Sequence, residues 1–172
     1  FRAGAVHSAY VTLFKLYDRV LTPARSNIGP LTVTQACEGL ELPGYDAMEF
    51  RTSEGHPWVK LRPAGASDKS WMFQLSNYPD GRNKIDGIVP ELADALGVKH
   101  ELRKRGVVPA TYFTACLKDA RIPLRKISTP GSTRVFEMSP VELTIAQRQY
   151  YMDFTVSYRN ARLHAEHSIG IN

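Results

Sequence analysis

The chain has 172 residues, 43% of them apolar and 10% aromatic, and a net charge of +5. This is enough to bury one core, and it excludes a disordered tail or a low-complexity linker. No apolar run approaches the ~18 residues of a membrane-spanning helix, and Cys37 and Cys116 form neither a CxxC zinc signature nor a disulfide framework, which fits a reducing compartment.

In chain order, Val6, Tyr10, Leu13, Phe14, Tyr17 and Leu21 recur at helical spacing and predict an amphipathic helix over 6–21. Pro23 and Pro30 bracket a loop. Thr32 and Gln35 make a capping-box pattern that opens a short helix running toward Gly39. From Leu42 to Asp68 turn residues dominate. Trp71–Leu75 reads as a strand that ends in the turn Asn77-Tyr78-Pro79-Asp80-Gly81.

Helical spacing resumes from Ile88 to Arg105, with Pro90 in the first turn and Gly97 as its weak point. Tyr112–Leu117 and Thr133–Met138 predict two further strands. Ser139-Pro140-Val141-Glu142 then combines an N-cap, an early proline and a capping acid, opening a helix to about Tyr158 that should bury Leu143, Ile145, Tyr150, Met152 and Phe154. The fold class expected from these elements is α+β, with helices packed on short antiparallel strands.

Charge is unevenly spread. From Lys99 to Arg134 there are nine Lys or Arg against Glu101 and Asp119, a local +7 that leaves −2 for the rest of the chain. Five of those cations, Lys118, Arg121, Arg125, Lys126 and Arg134, lie on the stretch that joins the last two predicted strands, Arg134 at the start of the second. Pro123, Pro130 and Gly131 keep that stretch from being one helix. Guanidinium and ammonium groups on an irregular ribbon suit the oxygens of a polyphosphate or a nucleic-acid backbone. On composition alone, a solvated charged face explains the run equally well.

Other chemistries find little support. His7, His56, His100, His164 and His167 form no HExxH-like array, and the pair His164/His167 around Glu166 reads as surface histidine. No GxxxxGK[ST] loop is present, which disfavours a nucleotide hydrolase. Asp80 and Asp86 have a D-x5-D spacing but sit among turn signals, and read as turn and helix-start residues.

Two segments carry a resemblance. Lys118-Asp119, Lys126 and Gly131-Ser132-Thr133-Arg134-Val135-Phe136 resemble motif F of the RNA-dependent RNA polymerases of picorna-like viruses. Thr52-Ser53-Glu54-Gly55-His56-Pro57-Trp58, upstream of it as the family's order requires, resembles motif G, the loop at the template entrance. The stretch from Pro30 to Gly39 is similar to the segment before motif G. Arg148-Gln149-Tyr150-Tyr151 and Ser168-Ile169-Gly170-Ile171-Asn172 are similar to the approach to motif A, so the likeness runs from about Leu31 to Asn172 and looks most dicistrovirus- or iflavirus-like. Two departures concern the ribbon. Ile122 stands where many relatives have Arg, and the interval from Lys126 to Arg134 is one residue longer than the enteroviral pattern, which leaves Arg121 and Arg125 less firmly matched than the other three cations.

The resemblance implies the fingers portion of a right-hand polymerase. Lys118, Arg121, Arg125, Lys126 and Arg134 would then hold NTP phosphates, and Thr52, Ser53, Gly55 and Pro57 would shape the template-RNA entrance. The partners implied are template and product RNA, NTPs and the polymerase's palm and thumb, with work in the host cytoplasm at viral replication complexes. The sequence contains no Asp-Asp pair, hence no Gly-Asp-Asp, so the ligands for two Mg²⁺ ions are expected beyond Asn172, and Phe1 in place of an initiator Met also points to an excised, processed or partial chain. The alternative class is a non-enzymatic basic RNA-binding module.

Overall fold

The computed structural model describes residues 3–27, 29–118 and 123–164. It contains four α-helices, α1 (Ala3–Val20), α2 (Val33–Glu38), α3 (Pro90–Lys104) and α4 (Val141–Asn160), and four strands, β1 (Phe73–Asn77), β2 (Asn83–Ile88), β3 (Thr114–Leu117) and β4 (Val135–Met138). The strands form two antiparallel hairpins, β1-β2 and β3-β4. The α+β class with short antiparallel strands is therefore what the chain adopts. It divides into two compact units, residues 47–146 and the two flanking segments 1–46 and 147–172.

The flanking unit is held by polar ties around α4. Thr32 caps α2 with the full reciprocal box: its hydroxyl accepts from the Gln35 N–H while the Gln35 side chain accepts from the Thr32 N–H. Arg148 donates to the carbonyls of Ala36 and Asp46. The backbone N–H of Leu31 donates to the Gln149 carbonyl at 2.8 Å, and the Gln149 amide returns a bond to the Leu31 carbonyl at 3.0 Å. Asp153 receives Arg25 through two nitrogens at 2.7 and 2.8 Å and the Tyr45 hydroxyl at 2.7 Å. Leu31, Ala36, Cys37, Tyr45, Met152 and Val156 are buried around these bonds.

The helix expected over 6–21 is present as α1, but its apolar stripe is covered only toward its end: Val6, Tyr10, Leu13 and Phe14 are exposed, while Tyr17 and Leu21 are half-buried and Tyr17 meets the rings of Phe154 and Tyr158 edge-on at 6.3 and 5.6 Å. Tyr150 and Phe154, expected to be buried in α4, are exposed as well, whereas Ile145 and Met152 are buried as expected and Leu143 is partly covered.

The central unit packs Met48, Phe50, Trp58, Met72, Phe73, Leu92, Leu96, Val141 and Ile145 into one core. Phe50 and Phe73 meet edge to face at 5.1 Å, a favoured aromatic geometry. Trp71 and Met72 belong to a short 3-10 turn, Lys69–Met72, capped by Asp68, and the strand starts one residue later. Pro90 opens α3, which runs through Gly97 without a break.

One strand was not expected from the sequence. Asn83–Ile88 pairs with β1 in register Phe73↔Ile88 to Asn77↔Asn83, with an irregularity at Gln74/Leu75. Asp86 is thus a strand residue, its carboxylate 2.6 Å from Lys84 Nζ, and not a helix start. Asp80 keeps its turn role and accepts from the Arg82 backbone at 3.0 Å and guanidinium at 2.6 Å.

Candidate RNA and nucleotide interface

The stretch from Thr52 to Trp58 is a loop whose conformation is set by its own backbone and by one buried carboxylate. The Thr52 carbonyl accepts from the Lys69 N–H at 3.0 Å, and the Ser53 hydroxyl accepts from the Gly55 N–H at 3.2 Å. Gly55 has φ +75, and a Cβ there would stand 2.6 Å from the Ser139 carbonyl oxygen and 2.8 Å from Pro140 Cα. Only glycine accepts that conformation and that proximity together. Pro57 is exposed and leads into a 3-10 turn, Trp58–Lys60, while Thr52 is exposed and Ser53 half-buried.

Glu54, between the two predicted template residues Ser53 and Gly55, is fully buried. Arg62 grips both of its oxygens at 2.7 and 2.6 Å, and the Trp71 indole N–H donates at 3.1 Å. Burial pushes this carboxyl up. The Arg62 fork, its own backbone N–H and the Trp71 N–H outweigh that effect and hold it below the usual range. The Glu54 carbonyl meanwhile accepts the Val141 N–H at 2.9 Å.

Glu142 has a different job from the cap that the Ser139-Pro140-Val141-Glu142 pattern predicts. It is buried, one oxygen accepting the Trp58 indole N–H at 2.5 Å and the other Lys99 Nζ at 2.5 Å. The Ser139 hydroxyl faces the Thr144 hydroxyl at 2.8 Å. The first N–H of α4, that of Val141, is therefore satisfied by the loop's Glu54 carbonyl.

The basic stretch projects from the β3-β4 hairpin, whose register runs Thr114↔Met138 to Leu117↔Val135. The Lys118 N–H donates to the Arg134 carbonyl at 2.8 Å, which extends the ladder by one pair and sets Lys118 opposite Arg134. Strand alternation puts both side chains on the face of Cys116 and Phe136. Beyond them a 3-10 turn, Leu124–Lys126, carries Arg125 and Lys126, and Gly131 at φ +77 turns the chain back. Lys118, Arg125, Lys126 and Arg134 are exposed and have no ion-pair partner among the described residues. Arg121 lies outside the described residues.

Loop and hairpin meet at the hairpin's base. The His56 ring approaches Tyr112, two residues before β3, edge-on at 6.2 Å. On the other side, β4 runs directly into Ser139 and Pro140, the residues against Gly55. Sequence reasoning found the loop and the cations but missed Glu54, Arg62, Trp71, Lys99 and Glu142. The available signal was an acid inside a Gly/Pro turn next to two tryptophans, which have indole donors to satisfy once buried.

The model of the viral RNA-dependent RNA polymerase family matches residues 16–172. The chain belongs to that family. Its relatives include the genome polyprotein of Deformed wing virus, 47% identical over 131 residues, and that of Rice tungro spherical virus (strain Vt6), 36% identical over 129. These alignments cover 76% and 74% of this chain and 4% of each polyprotein, so the chain spans a small part of the relatives it matches. Among solved structures, a Sicinivirus 3Dpol RNA-dependent RNA polymerase shares the fold with a TM-score of 0.59 at 23% identity, covering 84% of this chain and 26% of that one. The picorna-like viral resemblance read from the two motifs is thus correct at the level of family and fold. Among the described residues no group of three or more His, Cys, Asp or Glu is placed to hold a metal ion.

Proposed function

We propose that residues 1–172 form part of the fingers of a polymerase that copies an RNA genome, with the β3-β4 hairpin seating the NTP triphosphate and the 52–58 loop guiding template RNA. The observation that carries this reading is the Lys118–Arg134 pair. Two like charges directly opposite on a ribbon destabilise it, so the arrangement makes sense as half of a site whose other half is an anion. Arg125 and Lys126 on the neighbouring turn add positive charge on the same hairpin, and several cations acting together in a confined channel hold a triphosphate far better than one. Arg121 belongs to the same proposed set.

In the loop, Thr52 and Pro57 present the exposed surface, and Ser53 and Gly55 fix the backbone that would lie along the RNA. The carboxylates that would hold two Mg²⁺ ions for nucleotide addition lie, in this reading, outside Phe1–Asn172. Palm and thumb are the proposed neighbours of this segment, and viral replication complexes in the host cytoplasm its place of work. Exposed apolar residues on the hairpin, Leu117, Leu124, Ile127 and Val135, agree with a surface that the rest of the enzyme covers.

The test is Arg134→Ala in the full-length polymerase. The NTP KM should rise or kcat fall by about tenfold or more, with the thermal transition unchanged. Wild-type kinetics would remove Arg134 from the site. Residues 1–172 alone, given primer-template, NTPs and Mg²⁺, should not extend the primer.

A further inference from the structure

We infer that Glu142 is a positioning residue that couples the template loop to the nucleotide hairpin, so that a disturbance at one is felt as lost affinity at the other. The inference rests on the reading of loop and hairpin just given. Its geometry is a grip at several points on the short segment that joins β4 to α4. The Gly55 backbone packs against Ser139 and Pro140, the Glu54 carbonyl takes the Val141 N–H at 2.9 Å, and the Trp58 indole N–H reaches Glu142 at 2.5 Å. Lys99, on α3, fixes the second Glu142 oxygen at 2.5 Å, so the carboxylate cannot swing toward another partner. Just before the other strand, His56 rests against Tyr112 edge-on at 6.2 Å.

All these contacts sit at the base of the hairpin, and the paired cations sit at the other end of its ladder. Arg134 lies four residues up the chain from Met138, about 13 Å at ~3.3 Å per residue. A tilt of roughly 5° at the base would displace it by about 1 Å, an error large enough to matter for a positioned reactant. The grip is stiff because it is buried. Glu54 is 0% exposed, Glu142 2% and Trp58 5%. Satisfied polar groups in a dry setting specify one arrangement, and a missing partner there is costly. Two sites joined by one rigid segment share a coupling free energy that acts in both directions.

Trp58→Phe in the full-length polymerase tests this. It removes a single N–H donor, keeps most of the apolar body and alters a position outside the β3-β4 hairpin. Expected are an NTP KM at saturating template raised by about fivefold or more and an RNA off-rate increased in step, with kcat changed by less than about twofold. Glu142→Gln should move both quantities the same way, and Lys99→Arg, which keeps the ion pair, should leave both near wild type. If Trp58→Phe loses the fold, Lys99→Met carries the same readout through the partly exposed partner of the same carboxylate. Faster RNA release with an unchanged NTP KM would overturn the coupling. Arg134→Ala measured alongside separates the two ideas: if it too leaves the KM unchanged, the hairpin assignment has failed; if it raises the KM while Trp58→Phe does not, only the coupling has.

Discussion

The backbone N–H of Val141 donates to the carbonyl of Glu54 at 2.9 Å, so the first turn of α4 is capped by a loop distant in sequence and not by the serine beside it. A helix end leaves N–H groups without intrahelical partners. Here one of them is used to fix the loop, and helix and loop stabilise each other. The close seat of Gly55 on Ser139 and Pro140 is part of the same junction.

Gly55→Ala should be poorly tolerated. The new methyl group would meet the Ser139 carbonyl oxygen at 2.6 Å and would have to adopt φ +75. Its nearest neighbours are backbone atoms, which cannot rotate aside. The expected loss is about 2 kcal/mol or more, read as a lower denaturant midpoint. Gly81→Ala, also at positive φ but with open space around it, should cost less, and the difference between the two isolates the contact from the backbone strain.

Tyr45→Phe should cost about 1–2 kcal/mol, because the phenol is buried and its O–H donates to the Asp153 carboxylate at 2.7 Å. Burial pushes this phenol up to about 12, and its bond to Asp153 and that residue's charge add to the shift. A group whose folded pKa is raised stabilises below its unfolded value, near 10, and that contribution fades as the pH climbs toward 12. The wild type should lose stability over that alkaline window more steeply than Tyr45→Phe, as thermal melts at pH 9 to 12 would show.

Glu54, buried, and Asp153, partly buried, are carboxyls that contribute to the acid limb. Burial pushes each carboxyl up, but Arg62 and Trp71 at the first, and Arg25 and Tyr45 at the second, hold both below their ordinary values of 4.5 and 3.8. Depressed carboxyls stabilise the fold above those values, and the contribution is lost as the pH falls through the lower, folded ones. Denaturant midpoints should therefore be flat from neutral pH down to about 5 and drop below it. Arg62→Ala removes the strongest pull on Glu54 and leaves burial dominant, so the variant should be less stable than the wild type at neutral pH, and the gap should narrow as the pH falls and the unpaired buried carboxylate takes up a proton.

The sequence showed best those features that depend on neighbours. The Thr32–Gln35 box, the proline at the start of α3, and the two strands around the basic stretch are local patterns, and each formed where it was expected. Strand β2 was hidden because Asn83-Lys84-Ile85-Asp86-Gly87-Ile88 buries no residue fully and so has no clean alternation to read. Glu142 was misread for another reason. An acid two residues after a proline in a helix start looks the same whether it caps the helix or is buried, and its true partners, Trp58 and Lys99, are remote in sequence. In α1 the periodicity correctly gave the helix, but no pattern within one element says whether its apolar side is covered.

Lys118 and Arg134, opposite each other at the end of the β3-β4 ladder, also give dissolved salt two opposing effects. Mobile anions screen the repulsion between the two cations and so relax the empty hairpin. The same anions compete with any polyphosphate for that seat. Low ionic strength thus leaves the hairpin under the most internal repulsion while making it the strongest attractor for any polyanion offered to it. The amide of Lys118, whose bond closes the pair, is the place where both effects can be followed at once.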